Sequence, residues 1–298
     1  MILSRRTLML GAAAAFAGPV VPFPSALAAS APAAVATISI LADITRAVAG
    51  DAVAVRSLVG PDADPHTYEP RPSDLRALAD AALVVRNGLG LEGWLDRLLP
   101  ASGTKARVVT ASDGVTPRHL DAGLDPHAWQ NPRNGMLYAR NIADGLAALL
   151  PAQAAAIHAR AEDYVGRLEA LDGAIAKLFA DLPAGRRRIL TSHDAFFYFG
   201  ARYGLEFLGI EGINTEAEPS AADLAHVIAQ VKQSGVRVVF VENMTSPALA
   251  RTVAHESGAV LGPAVYSDAL SGPKGPAPTY LAMLRFNAET FARALHRE

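Results

Sequence analysis

From residue 35 onward, short β-branched runs alternate with longer stretches whose apolar residues recur at helical spacing. Strands are predicted at Thr37–Leu41, Val53–Val59, Ala82–Arg86 and Arg107–Thr110 in the first half, and at Arg188–Thr191, Glu206–Ile210, Val236–Val241 and Ala259–Leu261 in the second. Largely apolar runs of this length are typical of strands covered on both faces, as in parallel sheets. Strands that alternate with helices indicate βαβ units with right-handed connections. The pattern therefore predicts an α/β protein with two lobes, each built on a roughly four-stranded parallel sheet flanked by helices.

The stretch between the two sets of strands has no strand pattern. Asn131 to Leu150 predicts one helix, which Pro151 ends, and Ala152 to Leu182 predicts a second. About thirty helical residues extend roughly 45 Å, enough to run the height of both lobes. The predicted organisation is a signal peptide (1–28), an N-terminal lobe (29–150), a linking helix (151–183) and a C-terminal lobe (184–298). The alternative is an ordinary long helix inside a single domain.

The first 28 residues have the three parts of a secretory signal. Arg5 and Arg6 supply the positive region, an apolar stretch follows from Leu8 to Val21, and Ala26-Leu27-Ala28 is a typical cleavage site. The apolar stretch is shorter than the ~20 residues that span a bilayer, although an uncleaved anchor is the alternative. Ser4 to Leu8 also resembles a twin-arginine signal, so the export route stays open. We expect a periplasmic protein with a cleaved signal.

Composition removes several classes of function. The chain has 298 residues, of which 51% are hydrophobic, so it can bury a sizeable core and is not a disordered chain. Lys and Arg (27) nearly balance Asp and Glu (29), which argues against a nucleic-acid-binding protein. There is no cysteine, which excludes disulfides, thiolate metal sites and a lipid-modified cysteine. Any metal site must therefore use His, Asp or Glu, and we expect no lipid anchor.

A pentapeptide pattern occurs twice, as Asp64-Pro65-His66-Thr67-Tyr68 and Asp125-Pro126-His127-Ala128-Trp129. Each copy falls between a predicted strand and a predicted helix, where ligand sites form in parallel sheets. The aspartate has a chemical use there, because it can accept a hydrogen bond from the ring nitrogen that does not bind a metal. A single copy would be typical of an ordinary loop histidine, but two copies in matching contexts indicate metal ligands.

The second half offers two further candidates. His193, in the segment Thr191 to Phe196, lies just beyond a predicted strand. Asp268, in the segment Tyr266 to Leu270, lies in a Gly/Pro-rich stretch after the last predicted strand. The structural alternatives are a histidine at a helix terminus and an aspartate in a turn.

Together, the segments around His66, His127, His193 and Asp268 resemble the four ligand segments of periplasmic solute-binding proteins that serve zinc and manganese ABC importers. The order and rough spacing agree over nearly the whole chain after the signal. The resemblance implies two α/β lobes bridged by a rigid helix, with one ion in the cleft between them. It also implies a partner, the importer's permease in the inner membrane, and a monomer that binds no nucleic acid.

The ligand types bear on which metal is bound. Three neutral imidazoles and one carboxylate form a borderline-soft set that suits one Zn²⁺ per chain. The resemblance implies that manganese-selective relatives typically carry a carboxylate at the position of His193. We therefore expect Zn(II), with Mn(II) as the second choice and Fe(II) as a further alternative.

Many zinc-binding relatives carry a long loop rich in histidine and acidic residues before the second motif, whereas this chain has only Thr116 to Gly123. We interpret His119 and Asp121 as residues that capture an ion transiently and pass it to His127. A solvated loop histidine is the alternative. Delivery of zinc by a periplasmic metallochaperone is a further interpretation of the short loop.

Two other functions compete with metal carriage. In a zinc hydrolase, the three histidines would hold the metal and Asp268 would act as a base. Against it, the chain has no H-E-x-x-H, no G-x-S-x-G and no phosphate-binding glycine loop. A protein that binds a metal chelate or a vitamin would instead need a wide cleft with basic or aromatic walls. The sequence therefore favours a binding protein over an enzyme.

Overall fold

The computed structural model describes residues 31–120, 123–217 and 219–296. The predicted signal peptide lies outside the described residues. Within the described part, no helix has both the length and the apolar character needed to cross a membrane.

The described chain alternates strands and helices. The strands are β1 (Ala33–Ala36), β2 (Ala54–Ser57), β3 (Leu83–Arg86), β4 (Arg107–Thr110), β5 (His119–Leu120), β6 (Gly123–Leu124), β7 (Arg188–Thr191), β8 (Glu206–Gly209), β9 (Val238–Val239) and β10 (Val260–Leu261). The α-helices are α1 (Ser39–Ala49), α2 (Pro72–Ala79), α3 (Leu95–Ser102), α4 (Pro132–Leu149), α5 (Ala154–Phe179), α6 (Phe197–Tyr203), α7 (Ala221–Ser234), α8 (Pro247–Ser257) and α9 (Tyr280–His296).

Each half of the chain forms one four-stranded parallel sheet. The strand order is β2-β1-β3-β4 in the first sheet and β8-β7-β9-β10 in the second, so the two halves repeat one topology. Strands β5 and β6 form a separate antiparallel pair, which lies between the two sheets in the sequence. The predicted fold class, two α/β lobes with parallel sheets, is confirmed.

Two long helices connect the sheets. Asn131 caps α4 because its side chain accepts a hydrogen bond from the backbone N–H of Arg133 at 3.0 Å. Pro151 opens a short 3₁₀ turn, and α5 then continues for 26 residues, a length of about 39 Å. Helix α5 packs against α1 from the first half and against α6 and α9 from the second. The long bridging helix predicted from the sequence is therefore present.

One apolar cluster runs through both halves of the molecule. It includes residues of the first sheet, of α4 and α5, and aromatic side chains of the second half such as Phe199 and Phe291. A smaller cluster, with Leu190 and Val239, lies between the second sheet and helices α7 and α8. The two sheets thus share a core.

The prediction of a strand at Thr37–Leu41 is wrong. The strand lies earlier, at Ala33–Ala36, and Ser39 begins α1. The error has two causes. Three of the four residues of β1 are alanines, which have low strand propensity, and α1 is buried around most of its circumference, so its apolar residues do not mark a single helical face.

Candidate metal centre

The four residues predicted to bind a metal converge on one point. Their donor atoms all lie within 4.8 Å of one another. The Nε2 atom of His127 is 3.2 Å from Nε2 of His66 and 3.2 Å from Nε2 of His193. The Asp268 carboxylate lies 3.3 Å from Nε2 of His66, 3.2 Å from that of His193 and 3.6 Å from that of His127.

The backbone topology explains this meeting. His66 lies in the loop after β2, and His193 follows β7 directly. His127 lies between the antiparallel pair β5–β6 and α4, and Asp268 lies between β10 and α9. The carboxyl ends of parallel strands are where such sheets place their ligand sites. Two ligands from each half therefore meet where the halves face each other.

The centre is almost fully removed from water. His127 and His193 are completely buried and Asp268 is 1% exposed, whereas His66 keeps partial exposure. The two oxygens of Asp268 face the imidazole Nε2 atoms, and neither accepts a hydrogen bond from any other described residue. A buried carboxylate in such a place is costly unless a cation or a protonated imidazole balances it. The donor set therefore has the chemistry of a cation site.

Carboxylates support two of the three imidazoles from behind. Asp125 lies 2.9 Å from Nδ1 of His127. Glu242 lies 2.6 Å from Nδ1 of His193 and also accepts the backbone N–H of that residue at 2.9 Å. These contacts place the proton on Nδ1 and leave Nε2 to face the centre.

The two Asp-Pro-His motifs differ in how they use the aspartate. In both, the aspartate accepts the backbone N–H of the histidine two residues later, at 2.8 Å for Asp64 and 3.0 Å for Asp125. The predicted contact with the imidazole ring is described only for Asp125. The second oxygen of Asp64 accepts a hydrogen bond from the Thr215 hydroxyl, which belongs to the other half of the chain.

The segment carrying Asp268 is held from the other half of the molecule. The indole N–H of Trp129 and the side-chain amide of Gln130 both donate to the carbonyl oxygen of Ser267, at 2.8 and 2.7 Å. The Tyr280 hydroxyl in turn donates to the carbonyl oxygen of Trp129. These hydrogen bonds could not be predicted from the sequence, because their acceptors are backbone carbonyl oxygens.

The buried charges act on one another. Burial lowers the pKa of His193, but the carboxylates of Glu242 and Asp268 outweigh burial and hold that pKa well above its usual value. Burial raises the pKa of Asp268, but the His193 and His127 imidazoles outweigh it and hold that pKa well below its usual value. In the metal-free protein, a proton on His193 therefore balances part of the negative charge.

Fixed charges around the imidazoles are mostly negative. Asp125, Glu242 and Asp268 contribute three carboxylates, whereas Arg118 contributes one guanidinium, with its Nε 3.8 Å from Asp125. The net fixed charge of this set is −2 when the imidazoles are neutral. This negative charge favours a bound cation.

The partly exposed His66 marks the open side of the centre. A cavity of about 520 Å³ begins at His66 and extends past Trp94 to Asn214 and Glu216. A second cavity of about 270 Å³ also contains His66, together with Leu124 and Ile213. An ion reaching the centre from either cavity would meet His66 first.

His119 lies in β5, is exposed and is not part of the convergent group. Asp121 lies outside the described residues. Their role in transient capture stays a prediction.

Comparison with known proteins finds similarity along nearly the whole described chain. Residues 34–294 match the family described as the periplasmic component A of zinc-uptake complexes. The iron-binding protein YfeA of Yersinia pestis is 34% identical over 265 residues, which cover 87% of this chain and 85% of that protein. The manganese-binding lipoprotein MntA of Halalkalibacterium halodurans is 35% identical over 262 residues, covering 88% and 87% of the two chains.

Solved structures share the fold. The periplasmic zinc-binding protein TroA from Treponema pallidum superposes with a TM-score of 0.85 at 29% identity, covering 89% of this chain and 99% of that one. A manganese-bound periplasmic metal-binding protein from Candidatus Liberibacter asiaticus superposes with a TM-score of 0.81 at 29% identity, with the same coverage.

Proposed function

The chain belongs to the family of the periplasmic component A of zinc-uptake complexes, and from that premise we propose that it captures Zn²⁺ and delivers it to an ABC-type membrane importer. His66, His127, His193 and Asp268 are the proposed ligands of one ion per chain. The ion is the cargo of the protein.

The spacing of the donor atoms carries this proposal. Ligands placed about 2.0–2.1 Å from a central Zn²⁺ in a tetrahedron lie about 3.3–3.4 Å from one another. The separations at this centre that involve His127 or Asp268 are 3.2 to 3.6 Å. Three nitrogen donors and one oxygen donor are also the ligand types that Zn²⁺ accepts in a four-coordinate site.

The charge around the imidazoles supports a divalent cargo. The carboxylates of Asp125, Glu242 and Asp268 outnumber the one guanidinium beside them, that of Arg118. With neutral imidazoles this excess of negative charge favours a bound cation, because a buried charge without a partner is costly.

The protein is a transport protein and not an enzyme, because its family is a component of uptake complexes and its named relatives are metal-binding proteins. Four protein ligands would also fill a tetrahedral ion, leaving no position for a water nucleophile. The hydrolase alternative would need Asp268 to stay off the metal and act as a base. Asp268 instead lies 3.2 to 3.6 Å from the three Nε2 atoms, in position to be the fourth ligand.

Manganese(II) or iron(II) is the second candidate cargo. Both oxygens of Asp268 lie within 3.6 Å of an imidazole Nε2, so the carboxylate can present two oxygen donors and give a five-coordinate site. Manganese favours oxygen donors and higher coordination. The relatives named above for iron and manganese support the same possibility.

The proposed setting is the periplasm, with the importer's permease in the inner membrane as the docking partner. A periplasmic metallochaperone that supplies the zinc, and a monomeric state in solution, complete the proposal. The matched family is described as a periplasmic component of zinc-uptake complexes, which supports this setting.

Metal content tests the cargo. The protein would be purified from its native compartment without chelators, and its metals measured by elemental analysis. Chelator-treated protein would then be titrated with Zn²⁺ and Mn²⁺ in competition. Near-stoichiometric zinc and displacement of Mn²⁺ by Zn²⁺ are expected. Bound manganese or iron that Zn²⁺ does not displace would contradict zinc as the cargo.

A further inference from the structure

A third cavity, lined largely by polar side chains, lies apart from the two that contain His66. Its volume is about 420 Å³, within the size range of small-molecule sites. Three arginines from three parts of the chain line it: Arg118 before β5, Arg133 in α4 and Arg202 in α6. Among its described lining residues, none is acidic.

The one carboxylate that contacts two of these arginines is already saturated. Asp172, on α5, accepts hydrogen bonds from Nε and Nη2 of Arg202 at 2.9 and 2.6 Å, and from the Tyr203 hydroxyl at 2.9 Å. It also accepts one from Nε of Arg133 at 3.3 Å. Asp172 therefore fixes the position of both guanidinium groups but neutralises only one of the two charges.

Several guanidinium nitrogens remain available. Both terminal nitrogens of Arg118 and of Arg133, and Nη1 of Arg202, make no hydrogen bond within the described residues. The Nε of Arg118 is buried and lies in a long ion pair with Asp125 at 3.8 Å, so the terminal nitrogens of Arg118 are the ones left for a ligand.

The surrounding side chains complete a donor-rich wall. Asn131 uses its side-chain oxygen to cap α4, which leaves its amide nitrogen to donate. The guanidinium of Arg118 is held over the rings of Phe197 and Tyr198, at 5.4 and 5.8 Å from their centroids. This stacking restrains the arginine, so less side-chain entropy is lost when it binds a ligand.

We propose that this cavity binds a small oxyanion of the phosphate or carboxylate class. Guanidinium groups match the paired oxygens of such anions, and charge-assisted hydrogen bonds of this kind are the strong ones. The proposal does not depend on which metal the protein carries, because none of the three arginines is a proposed ligand.

Titration calorimetry of the chelator-treated full chain tests the site, with inorganic phosphate as the first probe and succinate as the second. Metal-free conditions keep the result separate from cargo binding. Saturable binding of one anion per chain is expected for at least one probe. Arg133→Gln should raise the dissociation constant of the anion roughly tenfold, because the loss of one hydrogen bond to a charged group changes a dissociation constant by about that factor.

Arg140→Gln is the matched control. Arg140 also lies on α4, but its guanidinium pairs with Glu162 on the surface and does not line the cavity. This variant should bind the anion as the unchanged protein does. Equal weakening in both variants would show only general charge attraction and would overturn the proposal.

Arg118→Gln provides an independent variant if Arg133→Gln disturbs the fold, which circular dichroism would reveal. It should also weaken binding roughly tenfold. The absence of saturable binding for both probes would overturn the proposal, as would anion binding that neither variant changes.

Discussion

The indole N–H of Trp129 donates to the carbonyl oxygen of Ser267 at 2.8 Å, across 138 residues of sequence. Trp129 follows His127 in the first half, and Ser267 precedes Asp268 in the second. One hydrogen bond therefore couples the segments that carry two proposed ligands. The ring of Trp129 also contacts that of His127, with 5.4 Å between centroids.

Trp129→Phe tests this coupling. It keeps an aromatic ring against His127 but removes the donor to Ser267, so Asp268 loses part of its support. Zinc affinity should fall about tenfold, as expected for a lost buried hydrogen bond. Competition with a fluorescent chelator measures the change. Tyr164→Phe is the control, because the buried Tyr164 hydroxyl has no hydrogen-bond partner among the described residues. Equal affinities in Trp129→Phe and the unchanged protein would contradict the coupling.

Replacing His66, His127 or His193 singly by Ala should lower zinc affinity by about a hundredfold or more, because each change removes a ligand from a four-coordinate ion. Isothermal titration with chelator competition measures this loss. His255→Ala is the control, since His255 is exposed on α8. If all three variants bound zinc as tightly as the control, the ligand assignment would be wrong.

Zinc affinity should decrease as the pH falls. An imidazole must lose its proton before it binds a metal, and the pKa of His193 is held above its usual value despite burial, which lowers it, because Glu242 and Asp268 outweigh burial. Protons should therefore begin to compete with zinc for His193 at a pH above about 6.5, the ordinary pKa of an imidazole. Calorimetry in buffers of different ionisation enthalpy should detect proton release at neutral pH. A constant affinity from about pH 8 to about pH 5 would exclude imidazole ligands.

Asp172→Asn should lower the free energy of unfolding by about 2 kcal/mol at neutral pH, since it weakens hydrogen bonds from two arginines and a tyrosine to a buried carboxylate. Burial raises the pKa of Asp172, but Arg202, Tyr203 and Arg133 outweigh it and lower that pKa. The contribution is therefore present above the pKa of the unfolded chain and is lost as the pH falls through the folded-state pKa.

Urea unfolding at neutral and acidic pH measures this effect, and the difference between Asp172→Asn and the unchanged protein should shrink in acid. Glu162→Gln is the control, because Glu162 pairs with Arg140 on the surface, and it should change stability little. A difference that stayed constant into acid would show that the Asp172 charge is not responsible.

The sequence predicted the fold well where local pattern and tertiary structure agree. Strands Arg107–Thr110 and Arg188–Thr191 have the bounds predicted for them, because β-branched or long apolar residues fill three of the four positions in each. The alanine-rich strand β1 was not predicted, because its extended conformation depends more on pairing with β2 and β3 than on its own residues.

The four residues that converge were also singled out from the sequence, through the doubled motif and the family resemblance. Their role as ligands stays a prediction that the variants above test. The supporting contacts were harder to foresee. The motif is the same around Asp64 and Asp125, yet Asp64 turns to Thr215, which is 151 residues away. Such differences arise from tertiary neighbours, which a local pattern does not contain.

The apolar cluster shared by both sheets has a thermodynamic consequence. Neither half retains a complete interior when it is separated from the other, because α5 packs against both and the main apolar cluster has members in both. Melting should therefore be a single cooperative event, with one calorimetric peak and no partly folded species. Fragments cut within α5 should stay unfolded on their own and regain structure only when mixed.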